Sequence, residues 1–136
     1  MIKITGEYQG GLHCSATHEL SGNSLVTDAP RDNGGRGEAF SPTDLAATAL
    51  ATCMLTIMAK AASVHGVDLK GTKFSATKEM SADAPRRIAR ITVEFWLPVR
   101  KDALREGVLE KAAAACPVHQ SLHPGIGKPV VFHWAE

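Results

Sequence analysis

Apolar and polar positions alternate at the start of this chain, cluster in its middle, and alternate again towards its end. Residues 2–8 (IKITGEY) alternate, which predicts a strand interrupted by Gly6. Gly10-Gly11 predict a turn, and residues 13–20 a second strand. Its alternation puts Cys14, Ala16 and His18 on one face, with His13, Ser15 and Thr17 on the other. Ser21-Gly22-Asn23 turn the chain again, and residues 25–27 form a short third strand. Tight connections of this kind predict an antiparallel meander.

The pattern then changes. From Leu45 to Ala59 there is no charged residue, no Gly and no Pro, and Cys53 lies in the middle. Ala, Leu and Met dominate, which predicts a helix. Ser41 can cap it, Pro42 suits its first position, and Asp44 three residues after the cap makes an acidic variant of the capping box. His65 faces the negative end of the dipole, and Gly66 offers a left-handed stop. A helix apolar all round is expected to be buried all round. Fifteen such residues fall short of the ~20 that span a bilayer, so a core helix is expected, with no membrane contact.

Downstream, residues 67–80 predict a strand with a bulge at Gly71, and SADAPRR a hairpin loop. Residues 88–97 (IARITVEFWL) alternate best of all, with Ile91, Val93, Phe95 and Leu97 on one face, and Pro98 is expected to end the strand. Residues 101–115 predict a helix whose apolar stripe is Leu104, Val108 and Ala112, with Leu109 alongside. VVFHW predicts a closing strand. Hairpins joined by helices favour an antiparallel or mixed α+β domain over a doubly wound sheet, and 136 residues suit one domain spanning 1–136.

Composition narrows the chemistry. A formal net charge of +1 gives no electrostatic case for a nucleic-acid partner or an anionic membrane surface. The Lys and Arg residues between Lys78 and Lys101 are interspersed with acids and apolar residues, as on a solvated face. MIKITGEYQGG lacks an apolar signal-peptide core, so a cytoplasmic location is expected. Three cysteines in such a chain point away from a disulfide framework and towards reactive thiols or inert buried ones.

Cys53 lies too deep in its helix for the dipole to activate it, and burial alone would leave it inert. A nucleophilic role would need a nearby cation: Arg36, Arg31 or a histidine. The polar, Gly-rich segment 29–40 (APRDNGGRGEAF) reads either as a connecting loop or as a cover that brings Arg36 or Glu38 to the thiol. Cys53 lies ~16 Å from the helix start, and six extended residues reach ~20 Å. Cys116 precedes Pro117, which interrupts the helical bonding. Either one helix ends near Ala115 and Cys116 caps a new one beside His119, or a kinked helix continues and Cys116 is merely packed. As a cap, the thiol would gain from the exposed amides. Cys116, His119 and His123, completed by Cys14 with His13 or His18, pose a weak metal alternative. Trp96, Trp134 and His133 mark no cofactor box, and no phosphate-binding Gly motif is present.

A Gly-rich loop, SPTDLAATALATCM on a buried helix and CPVH further along together resemble the OsmC/Ohr family of osmotically inducible and organic-hydroperoxide-resistance proteins. The specific part is residues 42–54 plus Cys116-Pro117. The resemblance implies a thiol peroxidase without metal or other cofactor. It implies an intertwined homodimer with sheets wrapped around a buried central helix. Cys53 would be the peroxidatic cysteine and Cys116 the resolving one, close enough to form a disulfide. A small-molecule hydroperoxide and a dithiol reductant (lipoyl groups in characterised members) would be its partners. Two departures stand out. Family peroxidases place an arginine after the first Gly-Gly turn and a glutamate after the helix-opening proline. This chain has Leu12-His13 and Thr43-Asp44 there, leaving Arg36 as the candidate substitute. The chain therefore resembles a divergent OsmC-like branch. The alternative function is a dimeric scaffold binding a small apolar or thiol-reactive ligand.

Overall fold

The computed structural model describes all 136 residues. They form an α+β chain with two three-stranded sheets and three helices longer than a 3-10 turn. The chain divides into two compact units, Met1–Ala46 and Ala47–Glu136.

The first unit is the expected meander. Strands β1 (Ile4–Tyr8), β2 (His13–His18) and β3 (Ser24–Asp28) pair antiparallel in that order. Tyr8 lies opposite Cys14, and Ala16 opposite both Gly6 and Leu25. Partners across a sheet share a face, so Ile4, Tyr8, Cys14 and Leu25 form one side. That side is open: Ile4 is 65%, Tyr8 62% and Leu25 46% exposed. After β3 the loop makes a single 3-10 turn at Arg31–Asn33 and leads into the long helix.

Helix α1 runs Pro42–Val64, and its start is the reciprocal box the sequence predicts. The Ser41 amide donates to Asp44 Oδ2 at 2.9 Å, and the Asp44 amide donates to Ser41 Oγ at 3.0 Å. Two of the helix's orphan amides are satisfied together. The helix ends on a Schellman pair: the Val67 amide bonds the Ala62 carbonyl and the Gly66 amide that of Ser63. Gly66 adopts φ +74°, a conformation that favours glycine.

Two expectations about this helix are corrected. Its 23 residues are long and apolar enough to cross a bilayer by length and composition, so length does not mark it as a core helix. Packing does: Ala47, Leu50, Ala51, Met54, Met58 and Ala62 are buried in the second unit's core. Nor is the helix covered on all sides, because Ala49, Thr52, Thr56 and Lys60 are exposed. Those positions recur at three and four residues and define one open stripe. The Thr52 and Thr56 hydroxyls bond the preceding turn's carbonyls, at Thr48 and Thr52, which lets threonine sit on that stripe without breaking the helix.

The second unit holds strands β4 (Lys73–Met80), β5 (Ile88–Arg100) and β6 (Val130–Ala135), with β5 central. β4 and β5 are antiparallel, and β6 runs parallel to β5. A parallel return needs a crossover. The intervening chain supplies it with helices α2 (Val108–Ala114) and α3 (Pro117–Ser121). Ile91, Val93, Phe95 and Leu97 are all buried, as their alternation predicts.

Three boundaries differ from the sequence reading. Gly71 sits in a turn before β4, where the Thr72 amide bonds the Leu69 carbonyl, and the strand's irregularity falls at Glu79/Met80 instead. β5 passes through Pro98 to Arg100. β4 pairing ends at Trp96 and the β6 register shifts just beyond it, so no ladder bond is asked of the proline. The helix expected over 101–115 starts only at Val108. Leu104 is extended and Gly107 adopts φ +84°, a left-handed residue that opens α2 and cannot lie inside it. Leu104 is buried all the same.

Candidate active site

The second unit brings two of the three predicted site residues together. Cys53 sits midway along α1, half-buried against the core, and Cys116 is wholly buried. Ala115 closes the first of two short helices and Cys116 caps the second, which resolves the two alternatives in favour of the cap. Its Sγ accepts from the His119 amide at 3.2 Å, and Pro117 occupies the first position of α3. Cys53 packs against the core that contains Cys116, near enough for its side chain to perturb the Cys116 thiol.

Capping does not activate Cys116. Burial raises its pKa above the ordinary thiol value. The His119 and Val118 amides pull the other way, while the neighbouring Cys53 raises it further. The expectation that the cap would favour a thiolate is therefore overturned, because desolvation outweighs two amide donors. Cys116 is therefore held as the neutral thiol.

His119 stands one turn from the pair. Burial lowers its pKa, and the Lys128 charge adds to the effect, so the imidazole is held neutral. Its Nδ1 is buried without a hydrogen-bond partner. No group of three or more His, Cys, Asp or Glu side chains is placed to hold an ion. His123 Nδ1 accepts from the Gly125 amide at 2.8 Å, and Cys14 lies exposed on the first sheet. Trp96 stacks on His133, whose Nε2 meets Glu94 at 2.8 Å on the second sheet.

Arg36, the third predicted residue, belongs to the first unit. Its guanidinium lies over the Gly10–Leu12 turn, 3.3 Å from where a Cβ on Gly11 would stand, and its charge helps lower the pKa of Asp28. Arg31 folds back on the same loop, with Nε donating to the Arg36 carbonyl at 3.2 Å. Asp28 itself was not singled out from the sequence. It is 2% exposed, 2.5 Å from His13 Nδ1, and accepts from the Glu38 amide at 3.0 Å. The His13 hydrogen bond is the main reason its carboxyl titrates below the usual range. The signal was available: the 21–23 turn puts His13 and Asp28 opposite each other on one face.

An α+β chain with two neighbouring cysteines at its core, one of them on a long apolar helix, defines a class of cysteine proteins. Comparison with known proteins places it more closely. The family model for OsmC-like proteins matches residues 35–127, and the chain belongs to that family. It is similar to an osmotic stress induced and detoxification response protein, provisionally so designated, of Psychrobacter arcticus 273-4. The identity is 44%, covering 97% of this chain and 94% of that one, with a TM-score of 0.86. The fold is shared with the organic hydroperoxide resistance protein OsmC of Legionella pneumophila at 18% identity, covering 98% and 96%, TM-score 0.77. An organic hydroperoxide resistance protein of Elizabethkingia anophelis matches at 14% identity, covering 99% and 96%, TM-score 0.75. No curated protein sequence matches significantly.

Proposed function

We propose that this protein is a thiol-dependent peroxidase for organic hydroperoxides, with Cys53 peroxidatic and Cys116 resolving. The observation that carries the reading is the packing of both cysteines into one apolar core, near enough for Cys53 to perturb the Cys116 thiol. The names of the Legionella and Elizabethkingia relatives support the substrate class. In the first step the Cys53 sulfur attacks the hydroperoxide O–O bond. Cys53 becomes a sulfenic acid, and the alkoxide leaves as an alcohol after taking a proton. In the second, Cys116 attacks the Cys53 sulfur, the S–O bond breaks, water leaves and a disulfide remains. A dithiol then returns both cysteines to thiols and becomes a disulfide itself. The apolar surroundings of Cys53 favour an organic peroxide over a strongly hydrated one.

Arg36 is the proposed source of positive charge for the reaction. Its support is its place at the turn that carries an arginine in family peroxidases. The proposed working form is a homodimer in which a second copy covers the open faces of the first sheet and of α1. A dimeric, non-enzymatic scaffold is the second reading. One observation favours it: Asp44, next to the family's glutamate position, caps α1. Incubation with cumene hydroperoxide and a dithiol separates the two. Peroxide loss that disappears in Cys53→Ser is expected, and absence of turnover with both cysteines intact would leave the scaffold.

A further inference from the structure

Disulfide closure has to move a proton that the Cys116 site holds tightly. The thiol is wholly buried, and burial together with Cys53 keeps it protonated. Something nearby must take that proton as the sulfur becomes a nucleophile. Within α3 the titratable side chain is His119. It is the third residue of the helix that Cys116 caps, and its own amide already binds Cys116 Sγ. That amide contact, 3.2 Å long, keeps the residue beside the thiol. The imidazole is neutral, and its Nδ1, the ring nitrogen nearest the backbone, is buried with no partner. A buried polar atom left unpaired calls for a partner that arrives in another state of the site. Peroxide reduction delivers one, because it leaves a hydroxyl on Cys53.

We propose that His119 is the proton acceptor for disulfide closure between Cys116 and the Cys53 sulfenic acid. This role rests on the peroxidase reading above. The Cys116 S–H bond breaks and its proton passes to His119 Nδ1. The freed electron pair forms the S–S bond to Cys53, and the Cys53 S–O bond breaks. The departing hydroxide collects the proton from the imidazolium and leaves as water. The sulfenic acid is reduced, the Cys116 thiol is oxidised, and no further reagent is consumed. In the reduced protein the Nδ1–sulfur hydrogen bond is not formed, as is common before a reacting group arrives. The charged group that acts on the imidazole is Lys128, from the segment before β6.

The test follows the two steps separately in the full-length protein after one equivalent of cumene hydroperoxide. A sulfenic-acid trap reads the first step in Cys116→Ser, and a mass loss of two hydrogens reads closure in the others. His119→Gln retains the backbone cap and cannot carry a proton. It is expected to slow closure at least tenfold relative to sulfenic-acid formation and to flatten its pH dependence. Lys128→Gln gives an independent reading: without that charge the imidazole gains basicity, so the rise of closure rate with pH moves to higher pH. Wild-type closure rates and an unshifted pH profile in both variants would overturn the role. Failure of Cys116→Ser to form any sulfenic acid would overturn the peroxidase reading first, and the two failures are told apart by which step is lost.

Discussion

The two units of this chain solve the folding problem by opposite means. The second holds all sixteen buried apolar residues, from Ala47 to Cys116, and the first holds none. The first unit's buried residues are instead polar, Asp28 and Ser41. One hydrogen-bonds His13 of β2 and the Glu38 amide of the loop that follows β3; the other caps α1. A three-stranded meander with one apolar face cannot stabilise itself through a core it does not have. Ile4, Tyr8 and Leu25 therefore mark a surface in need of a cover. The contrast extends to composition: apolar side chains surround Cys116, and the Arg36 guanidinium sits at the Gly10–Leu12 turn.

The contrast is broken or sharpened by substitutions on each side of it. The largest effect is expected in the second unit. Phe95→Ala removes a wholly buried ring and should cost about 3–5 kcal/mol, read from the midpoint of urea unfolding. In the first unit, an uncovered side chain would tolerate change within about 0.5 kcal/mol. Leu25→Asp should exceed that figure and shift sedimentation towards monomer if a second copy covers the sheet. A full-stability, unchanged-mass Leu25→Asp would refute that cover. Ser41→Ala strips one half of the capping box and should cost roughly 1 kcal/mol by the same unfolding assay.

Two further tests turn on charge. With reduced protein and a thiol alkylator, exposed Cys14 should label first. Buried Cys116 should lag until the pH passes the ordinary thiol range, as its raised pKa requires. Mass mapping against pH checks the order, and equal labelling at neutral pH would contradict the burial argument. The smallest effect is expected from Asp28. Its folded pKa is depressed, so the unfolded chain binds the extra proton in the acid window. The stabilisation is present above the unfolded carboxyl pKa and fades as pH falls through the lower folded value. Asp28→Asn should flatten the acid limb of a stability–pH curve and leave its shape near neutrality unchanged.

Local chemistry made much of this legible in advance. Ser41, Pro42, Asp44 and Gly66 fixed both ends of α1, because caps are interactions within a few residues. Tight turns fixed the meander, and strict alternation identified Ile91, Val93, Phe95 and Leu97 as core. The family resemblance rested on residues near Cys53 and Cys116, and the matched region 35–127 contains both. Where the reading missed, the deciding contacts came from distant chain. Pro98 stays in β5 because of where its neighbours stop pairing, and Leu104 is buried without a helix to present it.

The sequence by itself thus determined most of the elements, the caps of α1 and the two cysteines that the proposed reaction uses. It could not determine the state of those thiols, because a pKa depends on solvent exclusion and on neighbours that only the folded chain assembles. Tertiary packing put Cys116 against Cys53, withdrew it from water and thereby outweighed the amides of its own cap. Packing likewise left one stripe of α1 and one face of the first sheet open, since a residue's apolar character specifies the need for cover but not what provides it.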